Sequence, residues 1–227
     1  MYKIAKENLS ALFRKIAASQ ELYLPVKVSD QVNFRVWSED AQVDLNTLKT
    51  VKSPKDAFFP QCENLYSVKK EGRKLSVEPG TLKEADFVVF GMKACDVQGI
   101  KVLDKVFLAD PVDTYYAARR EHGTIVAMAC HEPEESCFCK VFGIDCADPA
   151  ADVAVWMVEK ELYWKPLTEK GQTLTESVKE LLERADQKDE ETIEEEKTKT
   201  TKKKTTKKST AKKTTAKKNT KKPTTKK

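Results

Sequence analysis

Ile4, Leu9, Leu12, Phe13 and Ile16 recur at roughly helical intervals and predict an amphipathic helix over residues 2–19. "YLPVKV" and "VNFRVW" then read as strands, with Pro25 at a bend or an edge. "SPKDAFFPQCENL" holds two prolines within seven residues and reads as an irregular loop, while Gly72 and Pro79-Gly80 mark turns. "DFVVFG" (86–91) is a short continuous apolar run, as a strand buried on both faces shows. It leads into "MKACD" and then "VQGIKVLDKVF", where Val97, Ile100, Leu103, Val106 and Phe107 predict a helix that "TYYAARREH" continues. "TIVAMAC" (124–130) is a second buried strand, ending in a cysteine. Strand, helices and strand over about 45 residues make a βαβ crossover with parallel strands. Beyond it "DVAVWMV" is ambiguous, "ELYWKPL" reads as a strand and "TLTESVKELLERA" as a closing helix. The fold class expected is α/β, with α+β the alternative: a mixed sheet around a parallel βαβ core, in a globular domain spanning 1–185.

Past that domain the pattern stops. Residues 186–196 form an acidic run, expected to be a linker, and 197–227 hold 15 Lys with Thr, Ser, Asn, two Ala and one Pro. The second segment offers almost nothing to bury, so it is expected to be disordered. The formal charge of +5 therefore averages two unlike parts: residues 1–196 carry 26 basic against 36 acidic residues. Lys-rich runs attract polyanions without sequence preference, so weak nucleic-acid or anionic-surface binding, docking to an acidic partner and a solubilising role all stay open for the tail. It has no aromatic or arginine residue to stack on or read bases.

The N-terminus shows charges at helical spacing and no basic start followed by an apolar run, so no secretory signal is expected. "FVVFGM" is far too short to span a bilayer. A cytoplasmic location follows as the expectation, and there six cysteines point to metal or redox chemistry more readily than to disulfides.

Four of the six can converge. Ligands of parallel βαβ units sit at the carboxyl ends of strands, where Cys95 follows one predicted strand and Cys130 ends the other. Cys137 and Cys139 follow in a Glu-rich loop suited to fold back over that edge. Four thiolates without a histidine set permit zinc or an iron–sulfur cluster, and the absence of paired C-x2–4-C knuckles favours the cluster. Cys62 and Cys146 read as core-filling thiols. Lys93, Arg119 and Arg120 are candidate cations around the metal, with a solvated helix face as the alternative for the arginines. Asp96 reads as the cap of a helix starting at Val97. His131 and His122 are the only histidines, His131 being adjacent to Cys130. No glycine-rich phosphate loop or nucleophile–base grouping appears.

"SPKDAFFPQCE", "FGMKACDVQGIKVLDKVF", "DTYYAARREHGTIVAMACHEP" and "CFCKVFGIDCADPAADV" come in an order that resembles the N-terminal half of the iron–sulfur beta subunits of cytosolic NiFe hydrogenases (sulfhydrogenases). They resemble equally the A subunit of anaerobic sulfite reductase. The family pattern G-x-R-P-C-D appears as Gly91-Met92-Lys93-Ala94-Cys95-Asp96, with Lys for Arg and Ala for Pro, while C-F-C is intact. The resemblance implies a [4Fe–4S] cluster on Cys95, Cys130, Cys137 and Cys139. It also implies an electron-transfer role beside a flavin- or nicotinamide-binding or catalytic redox subunit, with Lys55 and Glu63 shaping a subunit contact. Relatives continue into a two-cluster ferredoxin module, whereas no cysteine follows Cys146 here. The alternative from another class is a zinc-stabilised or metal-free binding module tethered to a polyanion by its tail.

Overall fold

The computed structural model describes residues 1–132 and 134–200. Pro133 and residues 201–227, and with the latter most of the expected disordered tail, lie outside them. The chain opens with β1 (Tyr2–Ala5), α1 (Leu9–Ala17), β2 (Glu21–Val28) and β3 (Gln31–Val36), then β4 (Tyr66–Glu71) and β5 (Lys74–Pro79). The crossover follows as β6 (Phe87–Lys93), α2 (Ala94–Phe107), α3 (Thr114–His122) and β7 (Gly123–Met128). β8 (Val153–Val158), β9 (Glu161–Pro166), α4 (Glu169–Ser177), β10 (Glu183–Arg184) and a last helix, α5 (187–200), complete it.

Eight strands form one mixed sheet in the order β10-β1-β9-β8-β7-β6-β2-β3. Its centre is parallel, with β2 on β6, β6 on β7 and β7 on β8. Both flanks are antiparallel. Pro25 falls just past the three residues of β2 that pair with β6, so no ladder bond needs its missing N–H.

The alternation of side chains sorts two cores. Val88 and Phe90 of β6 and Val126 and Met128 of β7 point to the face covered by α1 and α4, where they meet Leu12, Phe13, Ile16, Leu174 and Val178. Phe87, Val89, Ile125 and Ala127 point to the other face, against Val97 and Ile100 of α2 and Tyr116 of α3. Phe90 stands between Phe13 and Trp164, with ring centroids 5.3 and 6.1 Å away. The buried Trp164 indole donates to Thr175 Oγ1 at 2.8 Å, so its polar edge is satisfied inside the core. No helix among the described residues is long and apolar enough to cross a membrane.

Three expectations change. Residues 2–5 are strand, because Tyr2–Ala5 find a ladder on β9 and Ile4 is buried by that pairing, so helix starts only at Leu9. The hairpin β4–β5 follows the stretch read as loop, and the turn expected at Gly72 joins its two strands. The closing helix is cut short at Ser177, after which the chain turns so that Glu183 and Arg184 pair with β1. The acidic run is a packed helix and not a free linker. Ile193, 2% exposed, sits against Ala154, Trp156 and Tyr163, and Asp189 takes the Tyr163 hydroxyl at 3.0 Å and Lys3 at 2.9 Å. Lys197 lies 5.0 Å from the Trp156 ring.

Ile193→Ala tests that packing. It is expected to cost about 2–4 kcal/mol, as a truncated buried aliphatic does, and to lower amide protection across 187–200. A change within experimental scatter in both denaturant midpoint and hydrogen exchange would show α5 to be undocked.

Candidate metal centre

The sulfur-bearing edge begins with an irregularity in β6. Pairing runs Phe90 with Val126 and then Met92 with Ala127, which leaves Gly91 as an extra residue. Gly91 has φ +96°, a conformation glycine adopts at little cost. The bulge keeps Met92 on the α2 face beside Phe87 and Val89, and it sets the direction in which Lys93, Ala94 and Cys95 leave the strand.

Helix α2 starts at Ala94, three residues before the expected start, so Lys93 occupies the cap position and Cys95 lies in the first turn. Asp96 is therefore no cap. It accepts from the Ser53 hydroxyl and the Lys55 ammonium, each at 2.6 Å, and ties the Pro54–Ala57 turn to the base of α2. Cys130 leaves the neighbouring strand at the same edge, and its N–H donates to the Cys146 carbonyl at 2.9 Å.

Five of the six cysteines gather here. The exposed Cys95 interacts electrostatically with both Cys139 and Cys130. Cys139 is buried at the start of a single helical turn, Cys139–Phe142. The Cys137 sulfur accepts the Glu134 N–H at 3.3 Å, so it is engaged by its own loop. Cys146, read from sequence as a core filler, is buried, and its carbonyl accepts the Cys130 N–H. Cys62 is exposed.

Among the described residues no three His, Cys, Asp or Glu side chains form a group that could hold a metal ion. The expected meeting of four sulfurs around one point is thus looser than spacing alone suggested. A tetrahedral zinc ion, with Zn–S near 2.3 Å, would hold its sulfurs only about 3.8 Å apart. The donor set itself is all thiol, the set that iron–sulfur clusters take, and a polynuclear cluster receives its ligands at separate corners. By the chemistry of its donors the edge fits such a group.

The electrostatics of the edge favour neutral thiols over thiolates. Hydrogen bonding to Cys146 and burial push the Cys130 thiol well above its usual range, and burial raises Cys95 too. Burial holds the Lys93 ammonium below its ordinary value, while Cys130, Cys95 and Asp44 pull it back up. Lys49, missed in the sequence, is a second cation here. It pairs with Glu134 at 2.9 Å and with the Ser136 hydroxyl, and it interacts with Cys137 and Cys95. Its place in an irregular stretch 81 positions before Cys130 gave no local signal. Lys93, Cys130, His131 and Glu134 line a cleft of about 790 Å³ at this edge.

Arg119 and Arg120 are not part of it. They precede the start of β7, a strand's length (about 20 Å) from Cys130. Arg119 pairs with Glu63, and Arg120 grips Asp104 through Nε at 2.7 Å and Nη2 at 3.0 Å. Lys55 and Glu63, expected at a subunit contact, are thus each engaged within the chain. His122 Nδ1 lies 2.8 Å from Asp86, and exposed His131 accepts from Thr200 through its carbonyl at 3.4 Å.

Over 151 residues the chain is 31% identical to sulfhydrogenase 2 subunit beta of Pyrococcus furiosus, a stretch covering 66% of this chain and 43% of that protein. The chain is similar to a hydrogenase beta subunit. It spans less than half the length of that curated relative. No family model and no solved structure matches it.

The Arg120–Asp104 clamp has a pH signature. Burial alone would raise the Asp104 carboxyl, but hydrogen bonds from Arg120 and Tyr116 outweigh it and hold the group below its usual value. A depressed carboxyl contributes its full stability above about pH 4 and loses it as pH falls further. Asp104→Asn is expected to cost about 1–3 kcal/mol at neutral pH and to flatten the acid limb of a stability-versus-pH curve from denaturant titrations. An acid limb as steep as the wild type's would remove Asp104 from that role.

Proposed function

We propose that this chain is an electron-transfer subunit of a cytoplasmic anaerobic redox complex, of hydrogenase or sulfite-reductase type. In this reading Cys95, Cys130, Cys137 and Cys139 hold one [4Fe–4S] cluster. One observation carries it: adjacent parallel strands deliver Cys95 and Cys130 to the same edge, and the following loop returns Cys139 to interact with Cys95. Similarity to a protein named as a sulfhydrogenase beta subunit supports it.

When bound, such a cluster takes up and releases single electrons. The chain's residues then divide the work. Cys95 lies in the first turn of α2, where backbone N–H groups partly offset the burial that disfavours its thiolate. Cys137 keeps the Glu134 amide as a donor to its sulfur. Lys93 and Lys49 would offset the negative charge of four bound thiolates and so raise the reduction potential, and Met128 and Ala129 are buried beside the edge. The partner in that reading would be a flavin- or nicotinamide-binding or catalytic subunit.

The test is the full chain prepared without oxygen. Four iron and four acid-labile sulfide per chain are expected, with a brown colour bleached by reductant. Cys95→Ala and Cys130→Ala should each remove most of the iron while far-ultraviolet dichroism stays near wild type. A colourless wild-type protein with one zinc per chain would overturn the reading in favour of a zinc-stabilised module.

A further inference from the structure

The hairpin β4–β5 forms a sheet of its own, apart from the eight-stranded one. Its base is fixed to the body, because the Leu65 carbonyl accepts the Tyr115 hydroxyl and the Gly80 N–H, each at 2.8 Å. Cross-strand pairing puts Tyr66, Val68 and Lys70 on one face, opposite Pro79, Val77 and Leu75 in that order. The other face sets Ser67, Lys69 and Glu71 opposite Glu78, Ser76 and Lys74, with Lys69 paired to Glu78 at 2.9 Å. That polar face suits water. The apolar face lies in water too: Tyr66, Val68, Leu75 and Val77 are 64%, 51%, 65% and 63% exposed. A two-stranded ribbon by itself is marginally stable, and so regular an alternation specifies a face to be covered.

We propose that this face docks on the same face of a second copy of the chain, the two arms lying antiparallel about a two-fold axis. The order of residues along the ribbon favours that occupant. Val68 and Val77 form the middle pair, with Tyr66 and Pro79 two positions toward the base and Lys70 and Leu75 two positions toward the tip. A two-fold axis across the ribbon at the middle pair sets Val68 on Val68 and Val77 on Val77 of the other copy. It also sets Tyr66 over the other copy's Lys70, a cation against an aromatic ring, and Pro79 over the other copy's Leu75. Charge chooses the direction. With Lys69 taken up by Glu78, the tip holds Lys70, Arg73 and Lys74 against Glu71. Parallel arms would bring two such tips together. Antiparallel arms hold them about 20 Å apart, the length of the ribbon. Each tip then meets the other copy's body, which is acidic over residues 1–196. The face is only about 20 Å by 10 Å, so it fits a weak, concentration-dependent dimer and not an obligate one.

The experiment is analytical ultracentrifugation of the anaerobically prepared full chain from about 1 to about 500 µM, beside Val77→Glu and Ser76→Glu. The wild type is expected to pass from monomer to dimer over that range. Val77→Glu sets two carboxylates against each other at the axis and should weaken the dimer at least about tenfold. Ser76→Glu, on the polar face opposite Lys69, should leave it within about twofold. Both positions are exposed, so far-ultraviolet dichroism of the two variants should stay near wild type. A wild type that remains monomeric throughout overturns the proposal and leaves the arm to a different protein. A dimer that survives Val77→Glu forms through another surface and overturns it as well. Equal weakening by Ser76→Glu would trace the loss to the ribbon's own stability, and the proposal would fall with it.

Discussion

The site depends on the parallel pairing of β6 with β7. A parallel pair places both carboxyl ends on one edge, so the residues that follow, Cys95 and Cys130, emerge side by side. An antiparallel pair would put them a strand's length apart, about 20 Å. Parallel pairing needs a long crossover, which α2 and α3 supply on one face while α1 and α4 close the other. The all-apolar character of β6 and β7 follows, because each is covered on both sides.

On that frame the cations separate into two kinds. Lys93 and Lys49 stand among sulfurs, one half-buried at the strand end and one reaching over from an exposed loop. Arg119 and Arg120 stand at the opposite end of the sheet and fasten α3 to Glu63 and Asp104. The planar guanidinium suits a fixed two-point grip on a carboxylate, and the compact ammonium suits a local positive charge. The division therefore matches chemistry as well as position.

The C-terminal part of the described chain has a similar logic. Asp189, Ile193 and Lys197 recur at four-residue intervals and lie along one helix face. That face meets Tyr163, Trp156 and Lys3, which the sheet presents together because β1, β9 and β8 are neighbours. The described part of the helix runs to residue 200, where the Thr200 hydroxyl donates to the carbonyl of His131.

Much of this was legible in the chain itself. Continuous apolar runs gave the two central strands, helical periodicity gave α2 and α3, and the positions of Cys95 and Cys130 relative to those strands brought the two thiols to one edge. These are local signals, set by a period of two or 3.6 and by which residues tolerate burial. Tertiary structure alone decided what depended on distant neighbours. Tyr2–Ala5 became strand because β9 offered a ladder, and residues 187–200 became a docked helix because Trp156 and Tyr163 offered an apolar seat. Lys49 joined the sulfurs, the Cys146 carbonyl took the Cys130 N–H, and the two arginines turned away to carboxylates 16 and 56 positions distant in the chain. A side chain's partner is set by the fold's geometry, which no local pattern encodes.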